Sequence, residues 1–100
     1  MEKGRPHYSL AQMQAEIQRA GRHAFTLTAI SGGRAMGLTD GDMLEVVANL
    51  TRKDFYKSMT THHDHSIWQD VYHAVCGDGR VAYIKLTQVA ERIVIQFKEK

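Results

Sequence analysis

The strongest constraint on this chain is a mirrored pattern near its C-terminal end. Apolar and polar residues alternate through Val81–Val89 and again through Arg92–Lys98, with Ala90-Glu91 between the two runs. Alternation with a period of two marks strands that bury one face. A two-residue turn at Ala90-Glu91 pairs Val89 with Arg92, and that pair fixes all the others. Ile84 then lies opposite Phe97 and Leu86 opposite Ile95, forming one apolar face. The opposite face sets Tyr83 against Lys98 and Lys85 against Gln96. A slip of one residue would mix the two sets and bury a lysine, so the pattern admits a single register. It predicts a phenol and an ammonium side by side, about 5 Å apart at Cβ, on the surface turned away from the core.

Ahead of this hairpin the period changes near Thr61. Ile67–Cys76 alternates like a third strand, joined to Val81–Val89 through Gly77-Asp78-Gly79. The loop length decides where Gln69 points. A two-residue turn at Asp78-Gly79 puts it on the apolar face, and a three-residue Gly-Asp-Gly loop puts it beside Tyr83. Upstream the spacing is helical. Ser9 and Gln12 have the spacing of a capping box, Leu10, Met13 and Ile17 share one helical face, and Gly21 provides a stop. His23–Thr28 reads as a short strand, and Ala29–Leu38, with Gly32-Gly33, as a weak helix or a loop. Thr39, Asp40 and Asp42 crowd the start of a helix, where the negative charge of the two aspartates favours the dipole, and its buried stripe is Met43, Val47 and Leu50. Thr51 and Asp54 repeat the cap spacing and predict a short helix carrying Phe55, Tyr56 and Lys57. The expected fold is α+β, with N-terminal helices packed on one face of a mainly antiparallel sheet.

One hundred residues suffice for a single domain with one core. A formal charge of +2 is mildly basic and leaves acidic proteins, RNA or no charged partner all open. No apolar run approaches the ~20 residues that span a bilayer, and Met1-Glu2-Lys3-Gly4-Arg5-Pro6 is not followed by a signal-peptide core. The expected location is cytoplasmic. The lone Cys76 fits that reading, either as a small strand-end hydrophobe or as a reactive thiol.

His62-His63-Asp64-His65 offers metal-ligand types, but adjacent histidines in extended chain point to opposite faces and no second cluster completes a set. A solvated loop is the expectation there, with no metal and no cofactor. Serine-hydrolase, Walker and dinucleotide fingerprints are missing. The polar sheet face offers Tyr83, Lys85 and Lys98, with Arg80 nearby. Lysines on an exposed strand also serve to discourage edge pairing.

The block Asp54-Phe55-Tyr56-Lys57-Ser58-Met59-Thr60-Thr61, then Asp64-His65, then Ile67-Trp68-Gln69-Asp70-Val71-Tyr72, resembles the motility quorum-sensing regulator (MqsR) toxins. Phe97-Lys98-Glu99-Lys100, Met1-Glu2-Lys3 and Pro6-His7 are similar too. The resemblance implies a RelE-like fold and a toxin of a type II toxin–antitoxin system. It implies an endoribonuclease that cleaves mRNA at short GC-containing triplets without a metal. It also implies a cognate antitoxin with a zinc-binding domain and a helix-turn-helix domain, resembling MqsA. The family's catalytic set falls on Lys57, Gln69, Tyr83 and Lys98, which favours the longer Gly77-Asp78-Gly79 loop. RNA phosphates would find Lys53, Lys57, Arg80, Lys85 and Lys98, and a base could stack on Tyr56. The chain departs from the family at His62-His63 and Gly32-Gly33. Attack by the ribose 2′-OH would leave a 2′,3′-cyclic phosphate, with Lys98 as phosphate clamp or base, Tyr83 as a proton-transfer group, Lys57 as a second cation and Gln69 as a positioning hydrogen-bonder. Free lysine and tyrosine titrate near 10, about three units above neutrality, so either needs a shifted pKa to act as a base. The competing readings are a non-catalytic module that binds through its sheet edge and a histidine-metal hydrolase.

Overall fold

Sequential hairpins build the sheet. In the computed structural model, which describes residues 1–100, strands β1 (Glu2–Lys3), β2 (Phe55–Thr60), β3 (Trp68–Val75), β4 (Val81–Val89) and β5 (Arg92–Glu99) form one antiparallel sheet in the order β1-β2-β3-β4-β5. Helices α1 (Leu10–Ala20), α2 (Leu27–Ala35) and α3 (Asp40–Ala48) precede all but the first strand. The β4–β5 register runs from Val89↔Arg92 to Ala82↔Glu99 and includes Tyr83↔Lys98 and Lys85↔Gln96. This is the register that the alternation demands.

The helices cover one face. Met13 and Ile17 of α1 and Met43 and Val47 of α3 meet Tyr72, Ala74, Ala82, Ile84, Leu86, Ile95 and Phe97 of the sheet in one continuous apolar cluster. Burying each of the larger side chains contributes about 1.5–3 kcal/mol, which fixes which face of the sheet is inside. Ser9 accepts from the Gln12 amide at the start of α1, and Thr39 and Asp42 form a complete capping box on α3. Helix α2 resolves the Gly32-Gly33 ambiguity. A Cβ at Gly32 would collide with the carbonyl oxygen of Phe97 and lie 3.2 Å from Cα of Lys98. Gly32 is the close approach by which α2 lies along β5.

Two sequence expectations fail. The capping box of Thr51 and Asp54 forms, but its helix lasts only a 3-10 turn, Arg52–Asp54. Phe55, Tyr56 and Lys57 are on strand β2, because pairing with β3 outweighs the local helix signal. His23–Thr28 is not a strand. Gly21–Ala24 is a 3-10 helix, Phe25 makes one parallel bridge to Ile95, and Thr26 caps α2 by accepting from the Ala29 amide.

Strand β1 was not anticipated, and a buried carboxylate explains how the N-terminal segment is held. Asp70, 1% exposed, accepts from the backbone N–H groups of His7 (3.0 Å) and Tyr8 (2.9 Å) and from the Ser58 hydroxyl (2.6 Å). Three donors satisfy a charge that would otherwise be expensive to bury.

Candidate active site

The face without helices presents an ordered grid of side chains. Cys76 N–H donates to the Arg80 carbonyl at 2.8 Å, closing a three-residue loop at Gly77-Asp78-Gly79 in which Gly79 has φ +88°. The longer loop therefore forms, and Gln69 pairs with Thr87 on the same side as Tyr83. Successive pairings make three cross-sheet rows. The first is Lys98, Tyr83 and His73, with Tyr56 beyond; the second is Gln96, Lys85, Val71 and Lys57; the third is Val94, Thr87, Gln69 and Met59.

The first row is a stack of rings bracketed by cations. The rings of Tyr56 and His73 lie 4.5 Å apart at 22°, and those of His73 and Tyr83 lie 5.5 Å apart at 38°. Lys98 Nζ is 5.4 Å from the Tyr83 ring centroid, and Lys57 Nζ is 5.5 Å from that of Tyr56. Ammonium groups at these distances interact favourably with the ring faces. His73 is not among the sequence-predicted site residues, since a lone histidine in a strand is less conspicuous than the His62-His63-Asp64-His65 run. The signal was present, since the three-residue loop that sets Gln69 beside Tyr83 also pairs His73 with Tyr83.

The four family positions share the face but do not form one tight cluster. Lys98 and Tyr83 are direct neighbours. Lys57 and Gln69 are diagonal to each other across β2 and β3, and Gln69 is also diagonal to Lys85. Gln69 and the Tyr83 row are four residues apart along the strands, about 14 Å. Strands β2 and β5 are three spacings apart, also about 14 Å.

The cations differ in their electrostatics. Lys57 Nζ donates to Glu2 Oε1 at 2.5 Å, and that hydrogen bond pushes its pKa up. Lys57 is therefore a permanent cation. Lys85 is half-buried, and its burial, with Lys98 nearby, pushes its pKa down. Tyr83, Lys85, Gln96 and Lys98 line a cleft of about 160 Å³ that Thr28 and Ala29 of α2 close on one side. Val71, 0% exposed, and Thr87, 6% exposed, form the floor of the open face.

Other sequence-predicted groups lie elsewhere. Arg80 sits 3.4 Å from Asp78 and 3.9 Å from Glu99, at the hairpin end and off the grid. Lys53 is exposed on the 3-10 turn before β2, whereas Tyr56 and Lys85 belong to the face. His62, His63 and His65 are exposed in the β2–β3 loop, where Asp64 accepts from Ser66 N–H at 2.9 Å and Ser66 Oγ at 2.6 Å. Cys76 is buried, and burial pushes its thiol up, away from reactivity. A larger hollow of about 740 Å³ between α3 and the end of β3 carries Asp42, Glu45, Asp54 and Asp78 and no lysine or arginine, so it does not suit a polyanion.

The sequence matches, over residues 5–99, the family described as "Motility quorum-sensing regulator, toxin of MqsA". It is also similar to the mRNA interferase toxin MqsR of Escherichia coli (strain K12), with 41% identity over 100 residues that span 100% of both chains.

Proposed function

This chain belongs to the motility quorum-sensing regulator toxin family, and from that premise we propose that it is an mRNA interferase, an endoribonuclease that cuts message without a metal. The observation that carries the reading is the Tyr83–Lys98 pair beside a cleft lined by Lys85 on a face rich in lysine. Metal-free cleavage needs positive charge for the phosphorane and groups that move protons at the 2′-oxygen and the 5′-oxygen.

The scissile phosphate takes the cleft, with Lys98 and Lys85 against its non-bridging oxygens. Tyr83 donates a proton to the departing 5′-oxygen. Lys57, at the far end of the ring row, holds a neighbouring phosphate as a fixed cation, which its raised pKa supports. Gln69 hydrogen-bonds the strand between Lys57 and Lys85, and Tyr56, 56% exposed, receives a base. The products are a 2′,3′-cyclic phosphate and a 5′-hydroxyl. Cleavage occurs at short GC-containing triplets in cytoplasmic message, and a zinc-binding, helix-turn-helix antitoxin neutralises the toxin.

Purified protein incubated with single-stranded RNA in EDTA tests this reading. The expected result is cleavage with cyclic-phosphate ends, lowered about 10²–10⁴-fold in Tyr83→Phe and Lys98→Ala. Folded variants that cut at the wild-type rate would remove the assignment. An inactive wild-type protein that still binds its antitoxin would mark a non-catalytic module.

A further inference from the structure

The row of rings contains one group whose chemistry the reaction above does not use. His73 lies between Tyr56 and Tyr83, one strand from the phenol that neighbours Lys98. Its Nε2 is enclosed and has no hydrogen-bond partner. A buried polar atom without a partner calls for an explanation. In the neutral ring it forfeits one hydrogen bond, whereas an imidazolium would bury an unpaired charged donor, which is far more expensive.

The surroundings push the same way. Tyr56 and Lys57 face His73 from β2, Tyr83 and Lys85 from β4, and Lys98 and Lys100 from β5 and the residue after it. The Glu2 carboxylate beside them is already engaged by Lys57 at 2.5 Å. Burial, followed by the charge of Lys100, lowers the His73 pKa below its ordinary value. The enclosure of Nε2 and the surrounding cations both favour the neutral ring. A free lysine is uncharged in only about one molecule in 10³ at physiological pH. With Nε2 enclosed, the proton chemistry of the ring falls to Nδ1.

We propose that His73 is the proton acceptor for the ribose 2′-OH, acting through Nδ1 on the flank of Tyr83; the proposal rests on the ribonuclease reading above. The 2′-OH proton passes to the imidazole as the 2′-oxygen bonds to phosphorus. The bond from phosphorus to the 5′-oxygen breaks, and that oxygen takes the Tyr83 proton. The imidazolium then returns its proton to the Tyr83 phenolate through water, and both groups are reset with no co-reactant consumed. The dianionic phosphorane stabilises the imidazolium only while it is needed.

The test measures kcat/KM for a fluorescent single-stranded RNA of mixed sequence in EDTA, from about pH 5 to about pH 9. Wild type, His73→Gln and His73→Ala are compared, the last with and without added imidazole. The wild-type rate should rise with pH through a limb below about 6.5. His73→Gln should lose that limb and fall about 10²–10⁴-fold, while its binding of an all-deoxy analogue is unchanged. Imidazole should restore part of the activity of His73→Ala, since the substitution opens a ring-sized space between Tyr56 and Tyr83. A His73→Gln protein that keeps both the rate and the acid limb overturns the proposal and leaves the ribonuclease reading intact. A wild-type protein that cuts nothing overturns both.

Discussion

Replacing Gly32 with alanine should weaken both the fold and the cleavage activity, although alanine is the better helix former. Within α2 the exchange favours the helix by about 1 kcal/mol. Against that gain, the new methyl collides with the Phe97 carbonyl oxygen and sits 3.2 Å from Lys98 Cα and Phe97 C. The obstacle is strand backbone that cannot rotate aside, so α2 and β5 must part by a substantial fraction of an ångström. Overpacking of this kind costs about 1–3 kcal/mol, and the upper part of that range applies where the neighbour is rigid. The net loss is about 1–2 kcal/mol, a fall in Tm of roughly 4–16 °C for a domain of this size. The displaced strand carries Lys98, and an ångström of misplacement can lower catalysis by about 10²-fold. Thermal melts and RNA cleavage well below Tm measure the two effects. Gly41→Ala in α3 is the control, since its Cβ meets only Thr39 Oγ1 at 3.8 Å and should leave Tm level or higher. A Gly32→Ala protein that melts at or above the parent temperature and cuts RNA normally would refute the reasoning.

Three further outcomes are expected. Ala90 (φ 49°) and Glu91 (φ 67°) adopt left-handed backbone in the β4–β5 turn, so replacing them with Asn-Gly should stabilise by about 1–2 kcal/mol without altering cleavage at the far end of the hairpin; an unchanged melt would contradict this. Glu2→Gln releases Lys57 from its ion pair, which should tighten RNA binding and steepen its log–log salt dependence by roughly 0.7, read from titrations at several ionic strengths. Burial lowers the pKa of both His7 and His73, so the unfolded chain binds protons at these sites more readily than the folded one. Their stabilising contribution is present above about pH 6.5 and is lost as the pH falls through the lowered folded values. Tm should therefore drop on acidification, with a shallower slope in His73→Gln, and equal slopes would count against burial of that ring.

The sequence expectations succeeded where one signal had no competitor. The alternation in β4 and β5 allows no other register without burying Lys85, so Tyr83 and Lys98 were legible as neighbours from pattern alone. Gln69 was not, because its side depends on a single residue in the Gly77-Asp78-Gly79 loop, and glycine suits either loop. The Thr51–Asp54 spacing announces a cap, and the cap forms, but it says nothing of the strand that follows. A cap reports only how a helix begins, whereas Phe55–Thr60 is decided by pairing with Trp68–Tyr72 of the next strand, beyond the reach of any local signal. The N-terminal segment was invisible for a related reason. Its anchor is the carboxylate of Asp70, a residue whose charge suggests exposure although its strand position faces the core, and only the three donors converging on it make burial tolerable. His73 was hidden by contrast with a denser histidine run that proves to be solvent-exposed.

Strand β4 carries two messages interleaved residue by residue. Ala82, Ile84 and Leu86 speak to folding, while Tyr83 and Lys85 speak to chemistry on the opposite face, where α2 reaches only the margin of their cleft. In so short a chain stability and reactivity are usually hard to separate, yet here they can be edited independently. Substitutions at Tyr83 and Lys85 should yield a protein that keeps its shape and loses its harm.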